Sequence, residues 1–426
     1  MKKYANLESP KHSKLLFAAC FVVYSASYIG RINYSAALVA IVSEGLFTKS
    51  QAGIIGSVFF IFYGACQVLW GYLGDKVSPF KMIITGTLLA AIFNFAFSYC
   101  ESYLTMAVIW GLNGISHSML WSPILRILSN VINKDLRAKS CLNLSLSLPL
   151  GTILAYLISS LIIKYFGWKY VFSAASFILI AAMGFFILVL LIIRPHLTLT
   201  ASPSPNVKAQ SFGDVHRKKL LTLLISSGLI FAILPTALHG VIKEGITTWV
   251  PTMVSETYGT SASFSIFLMI FLPIFNASGA YLIYPIYKSI MKKNEITTAA
   301  FCMLFAVIPI TALLLMDKTA PIISVILMAM VTTATHAFNY MLITLVPVKF
   351  ALFGKTATVT GIMNSSAYAG CAASTYGFGL IAEKLGWQMI VYIWLCLSFI
   401  TFIICISLAR RWRIFNKSME DCFERI

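Results

Sequence analysis

The stretch Tyr24–Glu44, YSASYIGRINYSAALVAIVSE, lies inside the first long apolar run and sets Arg31 and Asn33 in a segment otherwise fit for lipid. Taken as a helix, Lys14 to Glu44 is about 45 Å long, the thickness of a bilayer with its headgroups, and Arg31 falls near the middle. An arginine at that depth costs at least about 2.5–3.5 kcal/mol on insertion scales, so it normally faces a wet cavity or a partner. Tyr24, Ser27, Tyr28, Arg31 and Ser35 recur at three- and four-residue spacing and form one polar stripe. The stripe predicts the wall of an anion-binding cavity with Arg31 as a ligand. The plainer alternative is an arginine held in a structural pair.

The rest of the chain has the composition of an integral membrane protein. Of 426 residues, 59% are hydrophobic and 11% charged, and apolar runs recur from end to end, which leaves no room for a soluble domain. The nine cysteines lie mostly inside those runs without CxxC or metal spacing, so they read as small apolar fillers, and no cofactor or metal is expected. The basic N-terminus is followed by no small-residue cleavage site, so the first run is expected to be a retained helix.

Twelve candidate spans follow: 15–43, 51–73, 82–100, 104–131, 140–163, 170–193, 220–254, 263–287, 296–316, 320–348, 357–382 and 389–409. Each can cross about 30 Å of hydrocarbon as a helix. Open strands would leave backbone groups unpaired in lipid, so the expected fold is an all-α membrane protein of twelve transmembrane helices. The proline- and serine-bearing stretch 194–219 reads as a flexible cytoplasmic linker between an N-terminal bundle, 1–193, and a C-terminal bundle, 220–426. The termini and the loops on their side hold 24 of the 32 Lys and Arg. The opposite loops hold Lys49, Lys164, Lys169, Lys318 and Lys384, and Arg31, Arg126 and Lys243 lie inside spans. By the positive-inside rule both termini are cytoplasmic. The net charge of +18 is thus topological and is no footprint of nucleic acid.

The two halves repeat. Arg31 and Lys243 are 212 residues apart, as are Val42-Ser43-Glu44 and Val254-Ser255-Glu256, while Gly167-Trp168 and Gly386-Trp387 are 219 apart. A duplicated six-helix bundle explains all three, and in such architectures the substrate site lies at mid-membrane between the repeats. Lys243 has its own stripe, Thr236, His239, Lys243 and Thr247, on a helix that Pro235, Gly240, Gly245 and Pro251 would let bend or break. Glu244 is read either as the counter-ion of Lys243 or as a proton carrier. His336, Asn339 and Tyr340 in the tenth span, and Asn364 and Tyr368 in the eleventh, are further mid-span polar residues. For His336, a ligand and a satisfied structural histidine are both open. No P-loop, HExxH, hydrolase elbow or dinucleotide loop stands in a plausible context, so neither ATP-driven transport nor an enzyme is expected.

Two motifs carry a family resemblance. The loop GYLGDKVSPFK between spans two and three resembles the signature of the major facilitator superfamily through Gly71, Asp75, Lys76 and Lys81. Such a loop latches inner helix ends by charge pairing, with Asp75 and Lys76 on one side and Arg126 of the fourth span as the partner of Asp75. The other reading of Arg126 is snorkelling to headgroups. Within that superfamily, residues 15–255 resemble the organophosphate:phosphate antiporter family. The carriers of the resemblance are Arg31 with Asn33-Tyr34-Ser35, the run from Gly111 to Pro123 that includes Trp121, and KEGITTWVPT at Lys243–Thr252. The resemblance implies that one cation from each half grips phosphate, Arg31 in the first and Lys243, a lysine in place of arginine, in the second. A guanidinium grips phosphate with two parallel bonds, whereas an ammonium acts as a point charge. Tyr24, Tyr28, Tyr63 and Trp121 fall at cavity positions. Gln67 and Leu148 replace a lysine and a histidine of the glycerol-phosphate branch, and Ile32 and Thr248 replace a lysine–aspartate pair of that branch.

The function expected from this is secondary transport of a small organic anion across a prokaryotic-type plasma membrane by a monomer. The cargo expected is a phosphate ester, exchanged for inorganic phosphate. A proton-coupled carboxylate symporter and a non-transporting sugar-phosphate sensor are the alternatives.

Overall fold

A computed structural model describes residues 4–73, 77–200, 220–316, 320–353 and 355–424. The described chain is almost wholly helical. Nine of its segments, corresponding to spans one, three, five to ten and twelve, are long and apolar enough to cross a bilayer. The other three spans are Lys49–Leu73, the pair Tyr103–Ser118 and Trp121–Asn130, and Thr356–Leu385. The fourth span is thus interrupted at Met119–Leu120, which leaves neither piece long enough alone. Of the linker 194–219, the first part forms a single turn at Arg194–His196 and a strand at Thr198–Thr200, and 201–219 lie outside the described residues. That strand pairs antiparallel with Tyr4–Asn6. Both strands lie outside the predicted spans, so their backbones have water available.

The chain divides into two compact units, Met1–Gln210 with Thr260–Ile270, and Ser211–Gly259 with Phe271–Ile426. The short segment after the seventh span joins the first unit through Ser263, whose hydroxyl donates to the Ser160 carbonyl at 2.8 Å.

The seventh span corrects one expectation. Its helix runs unbroken from Leu229 to Tyr258 with Pro235 and Pro251 inside it. The break falls earlier, at Gly228, whose φ of 78° is left-handed. Gly240 and Gly245 serve packing instead: a Cβ on Gly240 would stand 2.1 Å from the Ala367 carbonyl oxygen, and one on Gly245 2.3 Å from the Phe378 ring. The irregular backbone lies in the tenth span. There the α-helix gives way to wider π turns at Tyr340–Leu345 and then to 3-10 turns at Lys349–Phe353.

The repeat written in the sequence recurs as geometry. A Cβ on Gly151 would stand 2.4 Å from the Ser25 carbonyl oxygen, and one on Gly370 2.0 Å from that of Ala237. Ser25 and Ala237 are 212 residues apart, and Gly151 and Gly370 are 219 apart, the two spacings seen before. In each unit, then, the cation-bearing helix lies backbone to backbone on the fifth helix of its repeat. The other coincidence also closes. The indole N–H of Trp168 donates to Glu44 at 3.1 Å, and that of Trp387 to Glu256 at 2.8 Å. Gly167 and Gly386, each just before its tryptophan, have φ of 95° and 79°, which only glycine adopts without strain.

Unit two also holds a fully buried carboxylate. Glu295 accepts from the Tyr287 hydroxyl at 2.7 Å, the Trp412 indole at 2.8 Å and the Asn416 amide at 3.1 Å, with Lys349 Nζ 3.6 Å away. It ties the ends of spans eight, nine, ten and twelve together. Removing an acceptor so engaged leaves several buried donors and a cation uncompensated. Glu295→Ala is expected to lower stability by about 3–5 kcal/mol, read as a large drop in melting temperature of the purified protein.

The packing glycines give a sharper check. Gly151→Val and Gly370→Val drive a side chain into backbone and are expected to abolish the monodisperse peak in size-exclusion chromatography. Gly184→Ala, where nothing lies within 4 Å, is expected to leave it unchanged.

Candidate functional site

In unit one the sequence-predicted stripe converges on Arg31. Its guanidinium carbon lies 4.8 Å from the ring centre of Tyr63, 5.6 Å from Tyr28, 5.6 Å from Phe60 and 5.7 Å from Phe59. Spans one and two thus wrap a half-buried cation in four aromatic faces, each worth about 0.5–1 kcal/mol or more where water is thin. Tyr24 extends the wall, 5.4 Å from Tyr28 and 5.1 Å from Trp121 of the fourth span. Gln67 stands one turn beyond Tyr63, and its Oε1 is buried without a hydrogen-bond partner among the described residues.

The backbone under Arg31 is fixed by a network that the sequence reading passed over. Asn33, Asn94 and Asn113 are all fully buried. Asn33 donates to Asn94 Oδ1 at 2.8 Å, Asn94 donates to the Gly30 carbonyl at 3.1 Å, and Asn113 donates to that same carbonyl at 3.2 Å. Asn94 also reaches Asn113 Oδ1 at 3.2 Å and the Ala90 carbonyl at 2.9 Å. Three spans are thereby locked around the residue just before the cation. Gly30 is closely packed: a Cβ there would stand 2.8 Å from the Leu179 side chain and 3.2 Å from Asn94, so both would have to shift. His117 adjoins the same spot, buried, within electrostatic reach of Arg31 and 6.1 Å from the Phe59 ring. The signal that would have found Asn94, Asn113 and His117 is the one that found Arg31, a polar residue deep in an apolar run.

In unit two Lys243 is half-buried on the seventh span, with His239 one turn before it. His239 is buried flat against Phe338 of the tenth span, rings 4.9 Å apart and 16° from parallel. His336, two residues before Phe338, holds its Nδ1 3.0 Å from the Thr332 carbonyl. The Lys243 charge acts on both histidines. The threonines of the predicted stripe spend their hydroxyls on their own helix: Thr236 on Ala232 and Thr247 on Lys243. Glu244 is buried and accepts from Thr248 at 3.2 Å. Asn339 and Tyr340 are half-buried where the tenth span turns to π, and Tyr368 is half-buried on the eleventh.

At the expected latch, Arg126 donates to the Val77 carbonyl at 3.0 Å and so ties the fourth span to the loop after the second. Asp75 and Lys76 lie outside the described residues. Among the described residues no group of three or more His, Cys, Asp or Glu is placed to hold a metal.

Asn94→Ala tests the network. It leaves Asn33 and Asn113 short of partners and frees the turn under Arg31. It is expected to cost about 2–4 kcal/mol of stability, read by thermal melting, because each unsatisfied buried group costs about 1–3 kcal/mol. Asn94→Asp, which keeps the acceptor oxygen but brings a buried charge, is expected to be no better.

Comparison with known proteins fits this geometry. The chain is 29% identical over 154 residues to a probable hexose phosphate transport protein of Chlamydia pneumoniae, covering 36% of this chain and 34% of that one. It is 25% identical over 263 residues to the glycerol-3-phosphate transporter of Bacillus subtilis, 58% of each chain. It is 22% identical over 146 residues to the membrane sensor protein UhpC of Salmonella typhimurium, 34% of this chain and 33% of that one. The matched stretches thus span about a third to 58% of these relatives' own lengths. Among solved structures, the nucleoside transporter NupG superposes with a TM-score of 0.68 at 14% identity, over 94% of this chain and 99% of that one. The peptide transporter POT in complex with sulfate does so with a TM-score of 0.69 at 16% identity, over 95% and 96%. At such identities these two establish the fold alone. The Major Facilitator Superfamily profile matches residues 20–375, across two six-helix repeats that each carry a cation in their first helix, and this multi-pass membrane protein belongs to that superfamily.

Proposed function

We propose that this protein carries a phosphate ester of a sugar or of glycerol across the bacterial plasma membrane by alternating access, in exchange for inorganic phosphate. The observation that carries the reading is Arg31, a guanidinium kept in mid-span by four aromatic rings and by an asparagine network at its backbone. A protein that maintains a costly cation at that depth without a use for it would be expected to have lost it. The printed names of the hexose phosphate and glycerol-3-phosphate transporters support the cargo class.

The proposed mechanism follows from charge. A phosphate ester carries about −1.5 to −2 at neutral pH. Arg31 and Lys243 come from opposite repeats. In this reading an anion that engages both charges favours closure, so occupancy governs the passage between inward- and outward-open states. Arg31 takes the phosphate with two parallel bonds and Lys243 as a point charge. Tyr24, Tyr28, Tyr63, Gln67, Trp121, Asn339, Tyr340 and Tyr368 bound the rest of the cargo, Glu244 balances Lys243 in the empty state, and Asp75, Lys76 and Arg126 form the inner latch. The distribution of basic residues supports cytoplasmic termini. The working unit in this reading is a monomer.

Counterflow in proteoliposomes tests the proposal. Vesicles loaded with phosphate are expected to take up labelled glucose 6-phosphate or glycerol 3-phosphate. Uptake that ignores internal phosphate and follows a pH gradient would instead support a proton-coupled carrier. Ligand binding without flux would support a sensor, the reading favoured by the likeness to UhpC. Arg31→Ala is expected to abolish exchange, and Arg31→Lys to weaken binding about tenfold through loss of one charge-assisted bond. Lys243→Arg is expected to be tolerated or to tighten binding. Full exchange by Arg31→Ala would show that the residue is structural.

A further inference from the structure

We propose that the second unit binds its phosphate anion together with a proton, which His239 and His336 take up beside Lys243. The inference rests on the phosphate reading above and adds how one lysine suffices where that reading asks for strong positive charge.

The first observation is an orphan. His239 is 1% exposed, and neither of its ring nitrogens has a hydrogen-bond partner among the described residues. The carbonyls of Thr236 and Thr335 lie nearby but outside bonding geometry. Buried polar groups in native structures are nearly all paired, so an imidazole with both nitrogens idle keeps capacity for a proton and for an acceptor to hold it. The Phe338 face against its ring offers no hydrogen-bond partner to either nitrogen.

The second observation fixes where a proton goes. His336 Nδ1 lies 3.0 Å from the Thr332 carbonyl, which can only accept. Nδ1 therefore carries the hydrogen, and Nε2 is the basic nitrogen. Two imidazoles with basic positions thus share the neighbourhood of Lys243, from two different helices.

The third is a charge count. Lys243 contributes one positive charge, and Glu244, the next residue, is a buried carboxylate. Together they offer a dianionic phosphate little net attraction. Titratable groups on the elements packed here include Tyr340 of the tenth span, one turn after His336 and acted on by Tyr284 of the eighth, and Tyr368 and Cys371 of the eleventh. The Cys371 thiol donates to the Gly240 carbonyl at 3.7 Å. The twelfth span contributes Trp394 at Gly245, which does not titrate. None of these supplies a second positive charge; the histidines do. When the anion arrives it offsets the Lys243 charge and brings negative charge to the buried rings, which favours their charged form. A proton from bulk water then adds to His336 Nε2 or to a nitrogen of His239, and it leaves when the anion leaves. No covalent bond is made or broken in the anion.

Isothermal titration tests this on the purified full-length protein. Glycerol 3-phosphate, glucose 6-phosphate and inorganic phosphate are titrated at pH 7.5 in two buffers of different ionisation enthalpy. At that pH the esters are already almost wholly dianionic, so uptake with an ester reports on the protein. Net proton uptake with each ester bound is the expected result, read as a difference in apparent binding enthalpy between the two buffers. His239→Gln with His336→Gln is expected to bring uptake close to zero and to flatten the pH dependence of affinity. Should the double variant not fold, each single variant is expected to lose part of the uptake. Ester binding without uptake in the native protein, or uptake unchanged in the histidine variants, overturns the inference and leaves the phosphate reading standing. If no phosphate compound binds at all, both fall.

Discussion

Inside lipid, apolar surfaces gain nothing by meeting one another, so helices stay together through close contact and hydrogen bonding. The contact that governs this protein is the bare backbone at Gly151 and at Gly370. Each lets the helix that carries a cation, the first or the seventh, settle directly on its neighbour with no side chain between them. A side chain at either place would run into the facing backbone carbonyl and force the two helices apart. Everything attached to the two helices would then move, including Arg31 with its aromatic box and Lys243 with its histidines.

On that footing the cost of Arg31 is offset locally. Placing the residue in mid-span costs about 2.5–3.5 kcal/mol on insertion scales. Four ring faces at about 0.5–1 kcal/mol each supply a term of the same order. The asparagines add no charge of their own. They consume the spare backbone carbonyl at Gly30 and one another's donors, and so fix the turn that carries the cation. Unit two is built differently. Its cation has imidazoles in its neighbourhood, and its irregular backbone lies in the tenth span, just after His336.

Much of this was legible in the chain. Hydropathy marked the spans because lipid demands long apolar helices, and the 212- and 219-residue spacings marked the duplication. Arg31 and its tyrosines announced themselves by helical spacing. What escaped notice depends on contacts between spans. Asn94 and Asn113 are 19 residues apart in sequence, and their partnership with Asn33 exists only once three helices meet. The seventh span misled for a similar reason. Prolines and glycines there suggested a bend or a break, but the helix is continuous from Leu229 to Tyr258, Gly240 and Gly245 face Ala367 and Phe378, and the break falls at Gly228. Asn339, Tyr340 and Tyr368 were readable as polar residues in apolar spans, yet the π turns that begin at Tyr340 were not.

The paired indole–carboxylate contacts, Trp168 with Glu44 and Trp387 with Glu256, show where duplication left its two copies alike. The copies part company at the cations, and also where Tyr28 in one corresponds to Gly240 in the other at the same 212-residue offset. An ancestral half-molecule pairing with itself would have presented two identical walls to its cargo. After fusion each wall was free to drift on its own. One repeat now surrounds its cation with aromatic rings and the other sets histidines beside its own, so the two halves no longer present the same chemistry.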